Sequence, residues 1–244
     1  MKYQWIYGFT AMGLFASCNK MPKPASETKP NIIFILADDL GYGESRSFRG
    51  DSPFKMPNLD RLARDGMRFT DAHSASAVCT PTRYGVLTGR YPWRIGQFGV
   101  LSHKSPPIIP AERLTVASLL KAQGYHTACF GKWHLGMNIR GDEAADGPIT
   151  RGFDTFCGYT EARSISKVIE NDRVMGTFPE GEVAPLLARK IVAHLEQRAK
   201  AAEPFFLYVA LSQPHTPIAP APEFRGKSGQ GAYGDWILQG DAVV

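Results

Sequence analysis

A chain of 244 residues with 43% apolar and 21% charged residues has an ordinary globular composition, enough for one large domain or two small ones around a sizeable core. Its net charge of +5 and pI near 9.0 favour anionic partners, because a basic cleft steers anionic ligands. The basic residues are scattered among acidic ones with no Lys/Arg run of useful length, so nucleic acid is not the expected partner.

The first residues read as an export signal. Lys2 is the charged start, residues 5–16 are mostly apolar but short for a bilayer span, and the segment ends Leu14-Phe15-Ala16-Ser17-Cys18. Small residues before a cysteine resemble a bacterial lipoprotein cleavage site, with the lipid on Cys18 as the membrane contact. Phe15 departs from the usual leucine; the alternative is a plain secretory peptide with an incidental cysteine. The expectation is an exported protein, periplasmic or anchored as a lipoprotein of a bacterium. Residues 1–18 are assigned to the signal, 19–30 (rich in Lys, Pro, Ser and Thr) to a flexible tether, and 31–244 to the fold proper.

Asn31-Ile32-Ile33-Phe34-Ile35-Leu36-Ala37 is a continuous apolar run, the pattern of a strand buried on both faces. It stops at Asp38-Asp39, before Gly41 and Gly43. Residues 57–65 predict a helix with Leu59, Leu62 and Ala63 on one face and Gly66 as its stop. Thr115 caps a second helix running through Ala122, stopped by Gly124. Residues 126–130 read as a short strand. Residues 182–201 form an amphipathic helix with Leu186, Leu187, Ile191 and Leu195 near one face and Pro185 in its first turn. Residues 205–211 are a further buried strand. Strands alternating with helices predict a layered α/β domain. The Gly/Pro-rich residues 102–110 and 214–231 read as surface loops. Cys129 and Cys157 are expected to be buried, inert thiols rather than a disulfide, and no zinc spacing occurs.

Asp38-Asp39, Lys132 with His134, and His215 each follow a predicted strand. Ligands in open α/β sheets bind beyond the carboxyl ends of strands, so the three clusters are expected to converge. Adjacent carboxylates repel unless a counter-charge neutralises them, which a hard divalent cation such as Ca²⁺ or Mg²⁺ does; a solvated turn is the alternative. Pro81 suits the first turn of a helix, which puts Cys79 at or just before a helix N-terminus, where free N–H groups favour an anion. The alternative is a reactive thiolate or a structural cysteine. Lys132 and His134, two apart in an extended segment, point to one side; lysine neutralises anionic oxygens and histidine moves a proton near neutral pH. His215 lies in the proline-stiffened Ser212-Gln213-Pro214-His215-Thr216-Pro217. His73, His103, His126 and His194 read as surface residues.

Cys79-Thr80-Pro81-Thr82-Arg83 followed by Leu87-Thr88-Gly89-Arg90 resembles the signature of the formylglycine-dependent sulfatases, the arylsulfatase type within the alkaline-phosphatase-like superfamily. Ala37-Asp38-Asp39-Leu40-Gly41-Tyr42-Gly43 resembles the first metal motif of that family. Gly131-Lys132-Trp133-His134-Leu135-Gly136 resembles its second motif, and Pro214-His215-Thr216-Pro217 its Pro-His-x-Pro loop. Arg151-Gly152-Phe153-Asp154 with Gly158-Tyr159 is also family-like, of a structural kind. The resemblance runs from Asn31 to the end, roughly the N-terminal half of such a protein. It implies an alkaline-phosphatase-like α/β/α sandwich around a mostly parallel sheet. It also implies that a formylglycine-generating enzyme converts Cys79, and that Ca²⁺, rather than Mg²⁺, binds Asp38, Asp39 and the modified Cys79. Arg83 would hold the hydrated aldehyde, Lys132 the sulfate oxygens, and His215 the sulfate or the leaving oxygen. The implied substrate is a carbohydrate or aryl sulfate. One hydroxyl of the hydrate attacks sulfur in line and expels the alcohol; deprotonation of the second, with help from His134, releases sulfate and restores the aldehyde. Arg163 and Ser164 are candidates for a further substrate contact, and Glu44, where the family often has Asp, takes no role.

The family completes its metal site with an Asp-Asn pair after a later strand and adds a further lysine, and neither is among these residues. Tyr233-Gly234-Asp235-Trp236 resembles the helix preceding that strand, and residues 236–244 read as helix without a stop signal. The expectation is a chain truncated at its C-terminus, inside a helix, with an exposed sheet edge. Two acidic ligands fall short of the about six to eight oxygens that Ca²⁺ takes, so negligible activity is expected of the 244 residues alone. The alternatives are a non-catalytic, sulfoglycan-binding or remnant lipoprotein, and a phosphonate or phosphate ester hydrolase using the same aldehyde.

Overall fold

The computed structural model describes residues 28–161, 163 and 165–244. The signal with Cys18, the tether up to residue 27, and Ser164 lie outside the described residues.

The chain forms strands β1 (Ile32–Asp38), β2 (His126–Lys132), β3 (Asn138–Arg140), β4 (Glu143–Ala145), β5 (Thr155–Tyr159), β6 (Lys167–Glu170), β7 (Arg173–Thr177) and β8 (Phe205–Pro214). Its helices are α1 (Pro57–Asp65), α2 (Cys79–Thr88), α3 (Val116–Ala122), α4 (Glu180–Arg198) and α5 (Gly231–Asp241). The strands make one sheet in the order β1-β8-β2-β5-β6-β7-β4-β3. The β1-β8-β2-β5 pairs are parallel, and the remaining strands extend the sheet antiparallel. The residues of β2 and β8 pair from His126 with Phe205 to Gly131 with Ala210, so both strands deliver their carboxyl ends to the same edge.

Apolar side chains alternate to the two faces of these strands. Cys129, Phe156, Phe206 and Tyr208 pack under α2 and α3 with Tyr84, Leu87, Ala117 and Trp133. Phe130, Cys157, Leu207 and Val209 pack under α4 with Val183, Leu187 and Ile191. This is the layered α/β domain expected from the alternation of strands and helices, in the α/β/α arrangement that the family resemblance implied. The central strands approach closely: a Cβ on Gly131 (φ +104°) would lie 2.0 Å from the Ala210 carbonyl oxygen, and one on Gly158 would lie 1.9 Å from that of Gly131.

Several boundaries follow local chemistry. α1 has the expected bounds, and the Gly66 amide closes it onto the Leu62 carbonyl. Thr115 caps α3, its hydroxyl accepting from the Ser118 amide at 3.0 Å. Cys79, Cys129 and Cys157 are free thiols, and burial pushes Cys157 up to about 11.

Other expectations are corrected. β1 is not buried on both faces: among the described residues it is an edge strand paired with β8, and Ile33 and Phe34 remain 49% and 40% exposed. α4 begins at Glu180, which moves Pro185 past the first turn. α5 ends at Asp241 instead of continuing to Val244, and the Asp241 carboxylate accepts from the Asn58 and Leu59 amides of α1. His194 is not a surface residue: it is buried, 5.4 Å from the Phe130 ring, and His126 beside it is half-buried. Among the described residues no helix is long and apolar enough to cross a membrane.

Candidate active site

Strand ends and one helix N-terminus build the site. Asp38 closes β1, Lys132 closes β2, and His215 follows β8; the His215 amide donates to the Asp38 carbonyl at 3.0 Å. Cys79 is the first residue of α2, preceded by extended Val78, and Pro81 stands two residues inside, where its missing N–H costs nothing. Cys79 is half-buried, and Arg83, one turn on, is fully buried.

The centre is a buried charge cluster. Lys132 Nζ lies 2.5 Å from Asp38 Oδ2, and Arg83 Nη2 lies 3.3 Å from Asp38 Oδ1. Arg83 Nη1 also donates to the Lys132 carbonyl at 2.9 Å, which fixes the guanidinium between α2 and the end of β2. Burial alone would raise the Asp38 carboxyl, but the charges of Arg83 and Lys132 outweigh it and hold the group below the ordinary carboxylate range. Two cations against one carboxylate leave the cluster net positive, as an anion-binding centre requires.

His134 joins through a different route. Its φ of +53° breaks the extended run, so the expected common direction with Lys132 does not hold: Lys132 reaches Asp38 while the imidazole turns to the Leu101 carbonyl. Nε2 lies 2.8 Å from that oxygen. A carbonyl accepts only, so Nε2 carries the proton and Nδ1 keeps the lone pair. Nδ1 is buried without a partner. Burial pushes this histidine down to about 4, so at neutral pH it is an uncharged base.

Asp39 also has positive φ, +65°, and its carboxylate is largely exposed. His215 Nε2 stands 3.7 Å from Asp39 Oδ2, and its carbonyl accepts from Trp236 Nε1 at 3.1 Å. The clusters at Asp38, Lys132 and His215 therefore do converge. Glu44 accepts from the Gly41 amide at 2.5 Å and from the Tyr233 hydroxyl, a turn-closing role. Arg163 is exposed. Arg151 donates from Nε to the Ile109 carbonyl at 2.7 Å, and Phe153 packs against Trp133, so that motif serves the scaffold.

Sequence reasoning missed the residues that tie these parts together. The buried Thr80 hydroxyl donates to the His134 carbonyl at 3.0 Å and accepts from the Leu101 amide at 3.1 Å. Tyr159 and Tyr208 surround Arg83, with both hydroxyls buried. Thr80 lay inside the recognised motif, and its polarity in the first turn of a buried helix was the available signal. Leu101 contributes a backbone carbonyl and had none.

Asp38 and Asp39 are hard oxygen donors of the kind that calcium and magnesium take. Among the described residues, however, no three His, Cys, Asp or Glu side chains gather into a cage, and the Asp38 oxygens are engaged by Lys132 and Arg83. Asp38 and Asp39 supply only part of the roughly six to eight oxygens that such a cation takes.

Comparison with known proteins agrees with this geometry. Residues 30–237 match the family model described as Sulfatase. An N-acetylgalactosamine-6-O-sulfatase of Bacteroides thetaiotaomicron is 34% identical over 297 aligned positions, covering 96% of this chain and 58% of that protein. Arylsulfatase A of Bos taurus is 38% identical, covering 90% and 48%. A solved structure from Bacteroides thetaiotaomicron, reported with the metabolism of multiple glycosaminoglycans, superposes with a TM-score of 0.82 at 30% identity, covering 88% of this chain and 57% of that one. The chain spans about half the length of the curated relatives it matches. With the Cys79–Arg83 motif at a helix start, the buried Arg-Asp-Lys cluster at the carboxyl ends of the strands, and a match over most of its length, this chain belongs to the sulfatase family.

Proposed function

We propose that this chain carries the nucleophile half of a sulfuric ester hydrolase acting on a carbohydrate sulfate, with Cys79 oxidised to formylglycine. The observation that carries it is Cys79 at the first residue of α2, one turn before an Arg83 locked between Asp38 and Lys132. The hydrated aldehyde supplies one hydroxyl to attack sulfur and a second through which sulfate is released.

The chain's own residues do the rest. Arg83 is held rigid at the helix start and offsets negative charge developing near Cys79. Lys132, at the carboxyl end of β2, offsets the sulfate oxygens. His134 is kept neutral by burial and has a free Nδ1 lone pair, so it takes a proton without a prior change of charge state. His215, beside Asp39 on the exposed rim, donates to the departing oxygen. The sugar class rests on similarity to the N-acetylgalactosamine-6-O-sulfatase of Bacteroides thetaiotaomicron.

We assign Ca²⁺, in preference to Mg²⁺, to the oxygens of Asp38, Asp39 and the modified Cys79, with further donors outside those described; no step above runs through it.

The test is co-expression with a formylglycine-generating enzyme, followed by peptide mass spectrometry. Replacement of the Cys79 sulfur by an aldehyde oxygen is expected; unmodified cysteine throughout sinks the proposal. The same digest reads the mature N-terminus. Lipid on Cys18 supports export as an anchored lipoprotein, and cleavage elsewhere counts against it.

A further inference from the structure

The loop after strand β8 is stiff but short of donors. Pro214, Pro217 and Pro220 have no N–H, and His215 stands between the first two. The pairing with β1 ends at Asp38 and Pro214, so the chain beyond it depends on partners from outside the sheet.

Helix α5 supplies them. Trp236 is fully buried, and its Nε1 donates to the His215 carbonyl at 3.1 Å. Three residues on, the Gln239 side chain accepts from the Ala221 amide at 2.9 Å and holds the far end of the loop. Gly240 lies so close to Gln213 that a Cβ on it would stand 2.9 Å from the Gln213 Cβ. The helix is itself anchored: Asp235 accepts from the Gly226 and Ser228 amides, and Asp241 from the Asn58 and Leu59 amides of α1.

A buried indole N–H needs an acceptor, and any carbonyl of the loop would satisfy it. This one takes the carbonyl that decides where an imidazole points. The His215 amide donates to the Asp38 carbonyl at 3.0 Å, which fixes the peptide plane before the His215 Cα. The Trp236 bond fixes the plane after it. With both planes held, the φ and ψ of His215 are set. The ring is then tied through Nδ1 to the Thr216 carbonyl. A carbonyl accepts only, so Nδ1 carries a proton, and Nε2 is left facing the rim, 3.7 Å from Asp39 Oδ2.

We propose that Trp236 is a positioning residue for the reaction: its indole N–H, acting through the His215 carbonyl, holds the imidazole where the departing oxygen leaves. This rests on the sulfatase reading for the role of His215, but the coupling of Trp236 to His215 is tested apart from Cys79. A misplacement of about 1 Å costs a reacting group on the order of a hundredfold in rate, so a clamp on this one peptide plane matters to the chemistry.

Carbethoxylation of histidines on the 244-residue chain at neutral pH, read by peptide mass spectrometry, tests it. Benzothienylalanine at position 236 keeps the shape of the indole and puts sulfur in place of the N–H; azatryptophan keeps the N–H. Benzothienylalanine is expected to raise the labelling rate of His215 at least threefold, and azatryptophan to leave it within twofold of the parent. Trp236→Phe should act at least as strongly as benzothienylalanine. His194, buried in the core, should stay protected throughout. Inorganic sulfate, the product anion, is expected to slow His215 labelling in the parent and to lose that effect with benzothienylalanine. Parent-like labelling of His215 with benzothienylalanine overturns the proposal, since Trp236 would then act by packing alone. A rise shared by His215 and His194 overturns it too, because the N–H would then support the whole core. Equal labelling of the parent with and without sulfate removes His215, and Trp236 with it, from the reaction. Absence of Cys79 conversion strikes the sulfatase reading and leaves the contrast between the two analogues standing.

Discussion

Lys132 and His126 stand at opposite ends of strand β2, and the two ends handle buried charge differently. At the carboxyl end, Lys132, Arg83 and Asp38 are all ionised and almost solvent-free, each charge answered within 3.3 Å by another. At the amino end, His126 and His194 lie with ring centroids 5.3 Å apart, beside Arg198. Burial, and then neighbouring positive charge, hold both rings below the ordinary histidine value, His194 down to about 4. One end keeps charge inside by pairing it. The other keeps histidines inside by leaving them neutral. The first arrangement makes a field that a ligand can use; the second is a scaffold joint that tolerates neutral pH and resists acid poorly.

The largest expected effect breaks the paired end. Asp38→Ala leaves Lys132 and Arg83 buried and facing each other with no counter-charge, which costs about 3–5 kcal/mol when one partner of a buried pair is removed. Denaturant unfolding measures it. Adding Lys132→Met to Asp38→Ala is expected to recover part of the loss, because the second change removes the orphaned charge. Additive losses in the double variant contradict a coupled pair.

The neutral end is probed by pH. His194 ordinarily titrates near 6.5 in an unfolded chain and at about 4 here. Above pH 6.5 it is neutral in both states and its contribution is fully present. As pH falls from 6.5 towards 4 the unfolded chain takes up the proton first, so stability is lost over that window and the loss levels off below it. His126 moves in the same direction. The groups facing the pair are Asp154 and Glu203, which favour protonation, and Arg198 and Lys121, which oppose it. After allowance for solvent screening the loss from His194 is about 1–2 kcal/mol. His194→Gln is expected to flatten the stability profile between those pH values. A parent-minus-variant difference that does not change with pH removes the neutral-histidine account.

The two ends were not equally legible in the sequence. The carboxyl end was written in contiguous strings: Asp38-Asp39 after an apolar run, Cys79 before Pro81, and Lys132 after residues that pair as a strand. Helix α1 and the Thr115 cap were readable for the same reason, since a turn or cap involves neighbours three or four residues away. What pairs with what was not written there. Lys132 finds Asp38 94 residues away, and nothing local distinguishes that partner from water. Strands β3, β4, β6 and β7 have three to five residues each, too short for alternation to stand out, so the antiparallel extension was missed. β1 misled because an apolar run signals burial without saying whether a second neighbouring strand is present. His194 read as a surface residue because its helix was expected to bury leucines and isoleucine alone, yet position 194 follows Ile191 by three and shares its face.

The smallest expected effect refines the paired end by removing a neutral contact beside it. Thr80→Val keeps the shape of the side chain and deletes the hydroxyl that donates to the His134 carbonyl and accepts from the Leu101 amide. Neither group is ionised, and the Leu101 segment borders solvent, so water replaces one of the two partners. The cost is about 1 kcal/mol, a fraction of that for Asp38→Ala. Its signature is local: amide hydrogen exchange at Leu101 should accelerate while exchange in β8 follows only the small global loss. Uniform acceleration across the sheet would mean that Thr80 supports the whole core, and the contrast between charged and neutral contacts at this end of β2 would then be wrong.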